Sequence, residues 1–498
     1  MTNPIIILGT GSDVGKSIVA TALCRILRRK GHKVAPFKAQ NMSNNSYVTL
    51  EGGEIGRAQV AQAEAAGLIP SVDMNPILIK PSTDSGSQII LQGHVFAQME
   101  GLDYGALKPM LRKAVLQSYH RLARDYDVIV MEGAGSCVEM NLKKTDFVNL
   151  PLAKAVGARG ILVADIDRGG VFAQIIGTYA LMTRKEREML LGFIINKFRG
   201  DPSLFASGLE YIEKRTRKPV LGLVPYFHDI YIDQEDSVVL QKDKGLLQPL
   251  AQDSVNVAIV TLPAISNFTD FDLLAREPGV VVNYIHRPKE LAEEYDLLIL
   301  PGTKNVMEDG LWLARGRWKK IIRSHADRGG SVLGICGGYQ LLGEVIKDPF
   351  GVESEIHAVK GLGLLPVQTF LEQQKVVRKI TGRCLVNGIG IQGYEIHMGQ
   401  TQMIGERAGA FLRIHQRGKR TSWNDGCVLD RGRITGTYVH GLLDNPAFRG
   451  DILNRLRRKK GLKERPPKRG RQARFYQYDR LARHFEAHCR LEMVLSGL

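Results

Sequence analysis

A chain of 498 residues is too long for a single hydrophobic core, and at 44% hydrophobic and 24% charged it can bury its apolar surface, which excludes a disordered or fibrous chain. Its net charge of +17 gathers at one end, where residues 446–498 carry fifteen Lys and Arg against five Asp and Glu; without a recognition motif or interleaved aromatics this predicts an acidic substrate and no nucleic acid. No apolar run reaches the roughly 18 residues of a membrane span, MTNPIIILGTGS lacks a basic leader, and six scattered cysteines show neither disulfide nor zinc spacing, so a reduced, cytoplasmic protein with no membrane partner is expected.

In chain order, short aliphatic runs alternate with amphipathic stretches: Pro4–Leu8, Val34–Phe37, Asp127–Met131, Gly160–Ala164, Gly192–Ile195 and Val220–Val224. This is the βαβ rhythm of a mostly parallel sheet. The polar stretch 235–253 breaks it, and a second series begins with Val255–Thr261, Val280–Tyr284, Leu297–Leu300 and Ser331–Gly334. The expected fold class is α/β, with a nucleotide domain over 1–235, a linker over 236–252, a second α/β domain over 253–445 and a basic helical extension over 446–498. His484, His488 and Cys489 share a spacing that could suggest a metal, but without an HExxH glutamate they read as a solvated helix face.

After the first strand comes Gly9-Thr10-Gly11-Ser-Asp13-Val14-Gly15-Lys16-Ser17, followed by the helical run Ile18–Leu27. Strand, glycine loop and helix in that order make a phosphate site: backbone N–H groups converge on phosphate oxygens, Lys16 reaches the terminal phosphates and Ser17 is placed to ligate Mg²⁺. Thr10 stands where the standard GxxxxGK[ST] pattern wants glycine. The run Asp127–Met131 ends in Glu132, a candidate second Mg²⁺ ligand at a strand's carboxyl end. A third strand ends in Asp165, Asp167 and Arg168, whose individual roles the pattern leaves open.

In the second series, Ser331–Gly334 leads into Cys336-Gly337-Gly338-Tyr-Gln340 and a helix, the strand–nucleophile–helix turn of a nucleophile elbow. A helix N-terminus favours the thiolate, and backbone N–H groups can stabilise an oxyanion. His440 is the candidate base, with His397 as competitor, and Gly302 and Gly337 are candidate oxyanion-hole residues. A glutamate usually follows such a histidine by two positions; here Leu442 stands there. The sequence therefore predicts either a Cys336–His440 dyad or help from another acid such as Glu395.

These motifs, with Pro36–Met42, Asn45–Val48, Glu54–Gln59, Val72–Pro76, Asp165–Gln174 and Phe193–Gly200, resemble the cobyric acid synthase family along essentially the whole chain. The N-terminal half also resembles dethiobiotin synthetase, which shares the Gly-x5-Gly-Lys spacing. The resemblance implies a dethiobiotin-synthetase-like P-loop domain joined to a class I glutamine amidotransferase-like domain. It implies ATP and Mg²⁺ as cofactors, and a corrinoid, glutamine and ATP as substrates, with amidation at four peripheral carboxylates. Candidate corrinoid contacts are Gln40, Asn41 and Asn45 with Asp146, Asp165 and Asp167, and the polar loop Ser82–Gln88. Two rivals are a cobyrinic acid a,c-diamide synthase, disfavoured by the strings from Gln40 and Asp165, and a partitioning-type nucleotide switch, disfavoured by an intact Cys336 and His440. Neither the oligomeric state nor the order of amidations is encoded in these patterns.

Overall fold

The computed structural model describes residues 2–81, 86–100, 104–228, 230, 232, 247–468 and 470–496. Most of the expected linker, 236–246, and part of the loop Ser82–Gln88, 82–85, lie outside the described residues.

In the first domain, β1 (Asn3–Gly9), β2 (Val34–Phe37), β3 (Val128–Glu132), β4 (Arg159–Asp165), β5 (Leu190–Phe198) and β6 (Val220–Pro225) form one sheet in the order β6-β5-β4-β1-β3-β2. Every neighbouring pair is parallel. Helices cover both faces, so β1 reads as a continuous run, Ile5–Leu8 fully buried, instead of an alternating one. Because β1 is flanked by β3 and β4, the loop after β1 opens between the carboxyl ends of those two strands, where ligands gather in open α/β sheets.

The second domain repeats the plan with β7 (Val255–Val260), β8 (Val280–Ile285), β9 (Leu297–Leu300), β10 (Ser331–Ile335), β11 (Cys427–Leu429) and β12 (Ile434–Thr437), ordered β8-β7-β9-β10-β12-β11. Only the β11–β12 pair is antiparallel. The ends of β9, β10 and β12 thus bring residues near 302, 336 and 440 to one edge.

Two features go beyond the expected rhythm. Gln40–Met42, Ile77–Pro81, Gly86–Leu91 and His94–Glu100 make a separate four-stranded sheet in the first domain. In the second, the strands Val367–Cys384 and Gly390–Met403 form a long antiparallel hairpin, with its register shifted between Leu371 and Val376. That hairpin reaches the first domain: Tyr394 and Ile396 pack on Val48, and Lys379 Nζ donates to Tyr47 Oη at 3.1 Å.

The basic extension is built into both domains. Helix Pro446–Lys459 buries Phe448, Leu453 and Leu456 in the second, where Arg449 pairs with Glu277 at 2.7 Å. Helix Gly470–His488 then returns to the first, packing Tyr478, Leu481 and Phe485 into the core beside helix Lys16–Arg29. Arg25 and Arg29 of that helix pair with Asp479 and Glu486. In the histidine pair, His484 stacks on Phe227 and bonds the Pro225 carbonyl, and His488 bonds the His484 carbonyl. All six cysteines are free thiols, and no helix among the described residues is long and apolar enough to cross a membrane.

Candidate active site

The phosphate loop depends on glycine at position 15, where φ is 100° and a Cβ would fall 2.1 Å from Asn196 Nδ2. Asn196, at the end of β5, donates to the Val14 carbonyl at 3.0 Å and so braces the loop from below. Thr10 bonds through its backbone to Val163 and through its hydroxyl to Gln174. Helix Lys16–Arg29 starts directly at the loop with no side-chain cap and no acid in its first turn, so the positive end of its dipole suits an anion. Lys16 curls over the loop, its Nζ donating to the carbonyls of Gly11 (2.8 Å) and Gly135 (3.0 Å).

Glu132, at the tip of β3, accepts from Ser17 Oγ (2.8 Å), Lys38 Nζ (2.8 Å) and Gln62 Nε2 (2.6 Å). Burial opposes its charge, but Lys38 and the two other donors hold the carboxyl below its usual range, keeping it ionised. A hydroxyl and an ionised carboxylate this close at a P-loop are the hard oxygen donors Mg²⁺ takes, and the residues present fit that ion. No group of three or more His, Cys, Asp or Glu suited to a metal occurs among the described residues.

The candidate corrinoid contacts fall into separate places. Gln40 accepts from the Tyr104 hydroxyl, Asn41 is buried and donates to Gln59 at 2.9 Å, and Asn45 is buried beside Ser43. Asp165 and Asp167 lie on the nucleotide side instead, paired with Lys197 (2.7 Å) and Arg199 (2.6 Å); Arg168 reaches Asp13 of the loop at 3.2 Å. Asp146 accepts from the backbone N–H groups of Val148 and Asn149, a turn-forming role.

In the second domain, β10 delivers Cys336 into a turn with φ 53° and ψ −110°, at the N-terminus of helix Gly337–Leu342. A non-glycine residue in that region is strained, and the tight packing around it holds it there. A Cβ at Gly338 would lie 2.0 Å from the Leu300 carbonyl oxygen, so only glycine fits under the elbow. Gly337 packs against Thr303, and Gly302 packs against Ser266 and the His440 ring. The Cys336 thiol donates to the Ile396 carbonyl at 3.4 Å and shares a cavity with His440, His397 and Gln340.

His440 has a third partner that the sequence reading does not contain. Its Nδ1 lies 2.7 Å from Asp270 Oδ2, and Asp270 Oδ1 accepts from the Gly441 N–H at 3.0 Å. Burial alone would depress the imidazole, but Asp270 and Cys336 outweigh it and lift His440 to about 10. The acid beside His440 is therefore Asp270: of the two expected alternatives the structure has the one with another acid, but that acid is not Glu395. Glu395 faces away from His440: it pairs with Arg378 and stands 3.8 Å from His397. His397 stacks on Tyr438 at 3.8 Å and bonds the Gly399 carbonyl. Asp270 lies 170 residues before its partner, in the buried turn Phe268–Phe271 after β7, and no motif spacing flags it. An acid amid the apolar residues Phe268 and Phe271 was the one available signal.

The two domains match two family models, a CobQ/CobB/MinD/ParA nucleotide binding domain over residues 5–238 and a CobB/CobQ-like glutamine amidotransferase domain over residues 256–448. Among curated proteins, the chain is 45% identical to a cobyric acid synthase of Syntrophobacter fumaroxidans, covering 99% of this chain and 98% of that protein. It is 47% identical to one of Chlorobaculum tepidum, covering 100% and 98%, and 44% identical to one of Dehalococcoides mccartyi, covering 100% and 99%. With both halves matched and the likeness spanning nearly the whole chain, the chain belongs to the cobyric acid synthase family.

Proposed function

We propose that the chain uses ATP and glutamine to amidate the peripheral b, d, e and g carboxylates of adenosylcobyrinic acid a,c-diamide, giving adenosylcobyric acid in cobalamin biosynthesis. The observation that carries this reading is that the cavity holding Cys336 and His440 is completed by Lys80 from the nucleotide domain, so the glutamine site faces the phosphate loop's own domain.

At the glutamine end, His440 takes the Cys336 thiol proton and Sγ attacks the side-chain amide carbon. The oxyanion that forms points to the N–H groups around Gly337 and Gly302. His440, protonated and held by Asp270, gives its Nε2 proton to the departing nitrogen, so ammonia leaves and a thioester remains for water to hydrolyse. At the other end, Lys16 and the N-terminus of helix Lys16–Arg29 receive the triphosphate, and a corrinoid carboxylate takes its γ-phosphoryl group. The acyl phosphate gives ammonia a good leaving group to displace. Ser17 and Glu132 would hold Mg²⁺, which supplies neutralisation of phosphate charge when bound. Lys38 keeps Glu132 ionised for that task.

Replacing Cys336 by Ala should abolish glutamine-supported amidation and leave ammonia-supported amidation intact, whereas Lys16→Ala should remove both. A Cys336→Ala protein that still used glutamine at the full rate would overturn the assignment.

A further inference from the structure

A cavity of about 410 Å³ opens at the edge of the second domain's sheet opposite the cysteine elbow. The parallel register sets Leu297 beside Ser331 and Val332 beside Ile434, so the amino ends of β9, β10 and β12 meet here, while their carboxyl ends lead to residues 302, 336 and 440. It shares no lining residue with the cavity that contains Cys336. Its floor is apolar, formed by the buried side chains of Leu297, Val332, Leu333, Phe411 and Leu456. Its volume lies within the roughly 300–1,000 Å³ typical of small-molecule sites.

The rim of this cavity is cationic. Arg328, Arg431, Arg433, Arg455 and Lys459 line it against one acid, Asp430, and that acid is already paired with Arg433. Backbone carbonyls, which carry no full charge, hold part of the set: Lys459 Nζ donates to Gly329 at 2.6 Å, and Arg433 Nη1 donates to Ala326 at 2.5 Å and Gly330 at 3.2 Å. These carbonyls end helix Trp318–Asp327, whose negative pole accounts for Arg433 and Lys459. It does not account for Arg431 and Arg455. Arg455 Nε lies 3.2 Å from Asp451 Oδ2, yet this buried atom makes no hydrogen bond.

The turn between β11 and β12 brings those two arginines together. Asp430 (φ 48°), Arg431 (φ 53°) and Gly432 (φ 93°) are left-handed in succession, a costly conformation for the two that are not glycine. A Cβ on Gly432 would lie 2.6 Å from Arg455 Nη1, so glycine there lets the guanidinium lie against the turn. Cations gathered with so little compensation repel one another, and an anion between them removes that cost. Guanidinium forks match the oxygens of a phosphate two at a time, and its second negative charge favours it over a carboxylate.

We propose that this cavity binds a phosphate monoester with an apolar body: the phosphate sits at Arg431 and Arg455, and the body lies on the floor of Leu297, Val332, Leu333 and Leu456. Part of the basic charge of the C-terminal extension, Arg455 and Lys459, then serves this ligand.

Calorimetric titration of the full chain with 1-naphthyl phosphate, 1-naphthoate and inorganic phosphate tests the proposal. The naphthyl phosphate should bind saturably, one per chain, and at least about tenfold more tightly than either of the others, because only it satisfies both rim and floor. Arg431→Ala and Arg455→Ala should each weaken it by about tenfold or more, whereas Lys16→Ala at the phosphate loop should leave it unchanged. Both arginine variants should release glutamate from glutamine at the wild-type rate, which shows that they are folded. Should Arg455→Ala fail to fold, Arg431→Ala decides, since that side chain is exposed. The proposal is overturned if naphthyl phosphate does not bind saturably, if its binding survives the folded arginine variants, or if Lys16→Ala abolishes it. It is equally overturned if inorganic phosphate or naphthoate binds as tightly.

Discussion

Asp270→Asn probes the least expected member of the glutaminase site with almost no change of shape. In the native protein its two oxygens accept from His440 Nδ1 at 2.7 Å and from the Gly441 N–H at 3.0 Å. Asparagine has one acceptor oxygen, so one of those donors must face its amide NH₂. Either the imidazole loses its orientation and its Nδ1–H tautomer, or the Gly441 backbone does. The negative charge that outweighs burial and lifts His440 to about 10 is lost as well. Because that pKa lies above the ordinary 6.5, the proton on His440 stabilises the folded state fully below about pH 6.5, and this contribution fades as pH rises through about 10. The same proton is what the leaving ammonia needs. We therefore expect wild-type glutaminase activity to persist into alkaline solution, with its falling limb near pH 10, and that limb to move toward neutrality in Asp270→Asn. At neutral pH, glutamate release should fall by about 10²- to 10⁴-fold, the range seen when an orienting carboxylate is lost. Glutamate release is measured across pH, with ammonium-supported amidation as the control that should not move. A variant within about twofold of wild type with an unshifted alkaline limb would mean that Cys336 and His440 work as a dyad and Asp270 is structural.

Two further outcomes follow from the same geometry. Glu132→Gln should abolish amidation from either nitrogen source; removing one member of its buried pair with Lys38 should also cost about 3–5 kcal/mol of stability. The double variant Lys38→Met with Glu132→Gln should regain much of the thermal midpoint but none of the activity, and recovered activity would exclude Glu132 as a ligand. Gly338→Ala places a methyl group 2.0 Å from a backbone carbonyl; with a rigid neighbour it should lose at least about 1–3 kcal/mol in a thermal melt and reduce glutaminase more than ammonium-supported amidation.

The legible parts of this protein were those whose chemistry depends on neighbours in sequence. Both parallel sheets show through their aliphatic runs, and the phosphate loop and the cysteine elbow show because strand, glycine turn and helix must follow one another within about ten residues. Parts assembled from distant segments were not legible. The strands Gln40–Met42, Ile77–Pro81, Gly86–Leu91 and His94–Glu100 carry many polar residues and read as irregular chain, and the long hairpin is half exposed, which blurs its alternation. Asp270 reaches His440 only because the turn after β7 is folded beside the end of β12. Glu54, Lys80 and Lys375 meet across a domain boundary, where sequence distance carries no information. The charges of the basic extension likewise give no sign that Arg449 is buried on Glu277 or that the final helix packs along the phosphate-loop helix.

The central claim is that one chain couples glutamine hydrolysis to ATP-driven amidation of a corrinoid. The most direct measurement is mass spectrometry of adenosylcobyrinic acid a,c-diamide incubated with the protein, ATP, Mg²⁺ and glutamine. The account predicts successive losses of about one mass unit as each hydroxyl is replaced by an amino group, ending when the b, d, e and g carboxylates are amides and stopping without ATP. An unchanged corrinoid mass under conditions where the protein binds ATP and hydrolyses glutamine would contradict it.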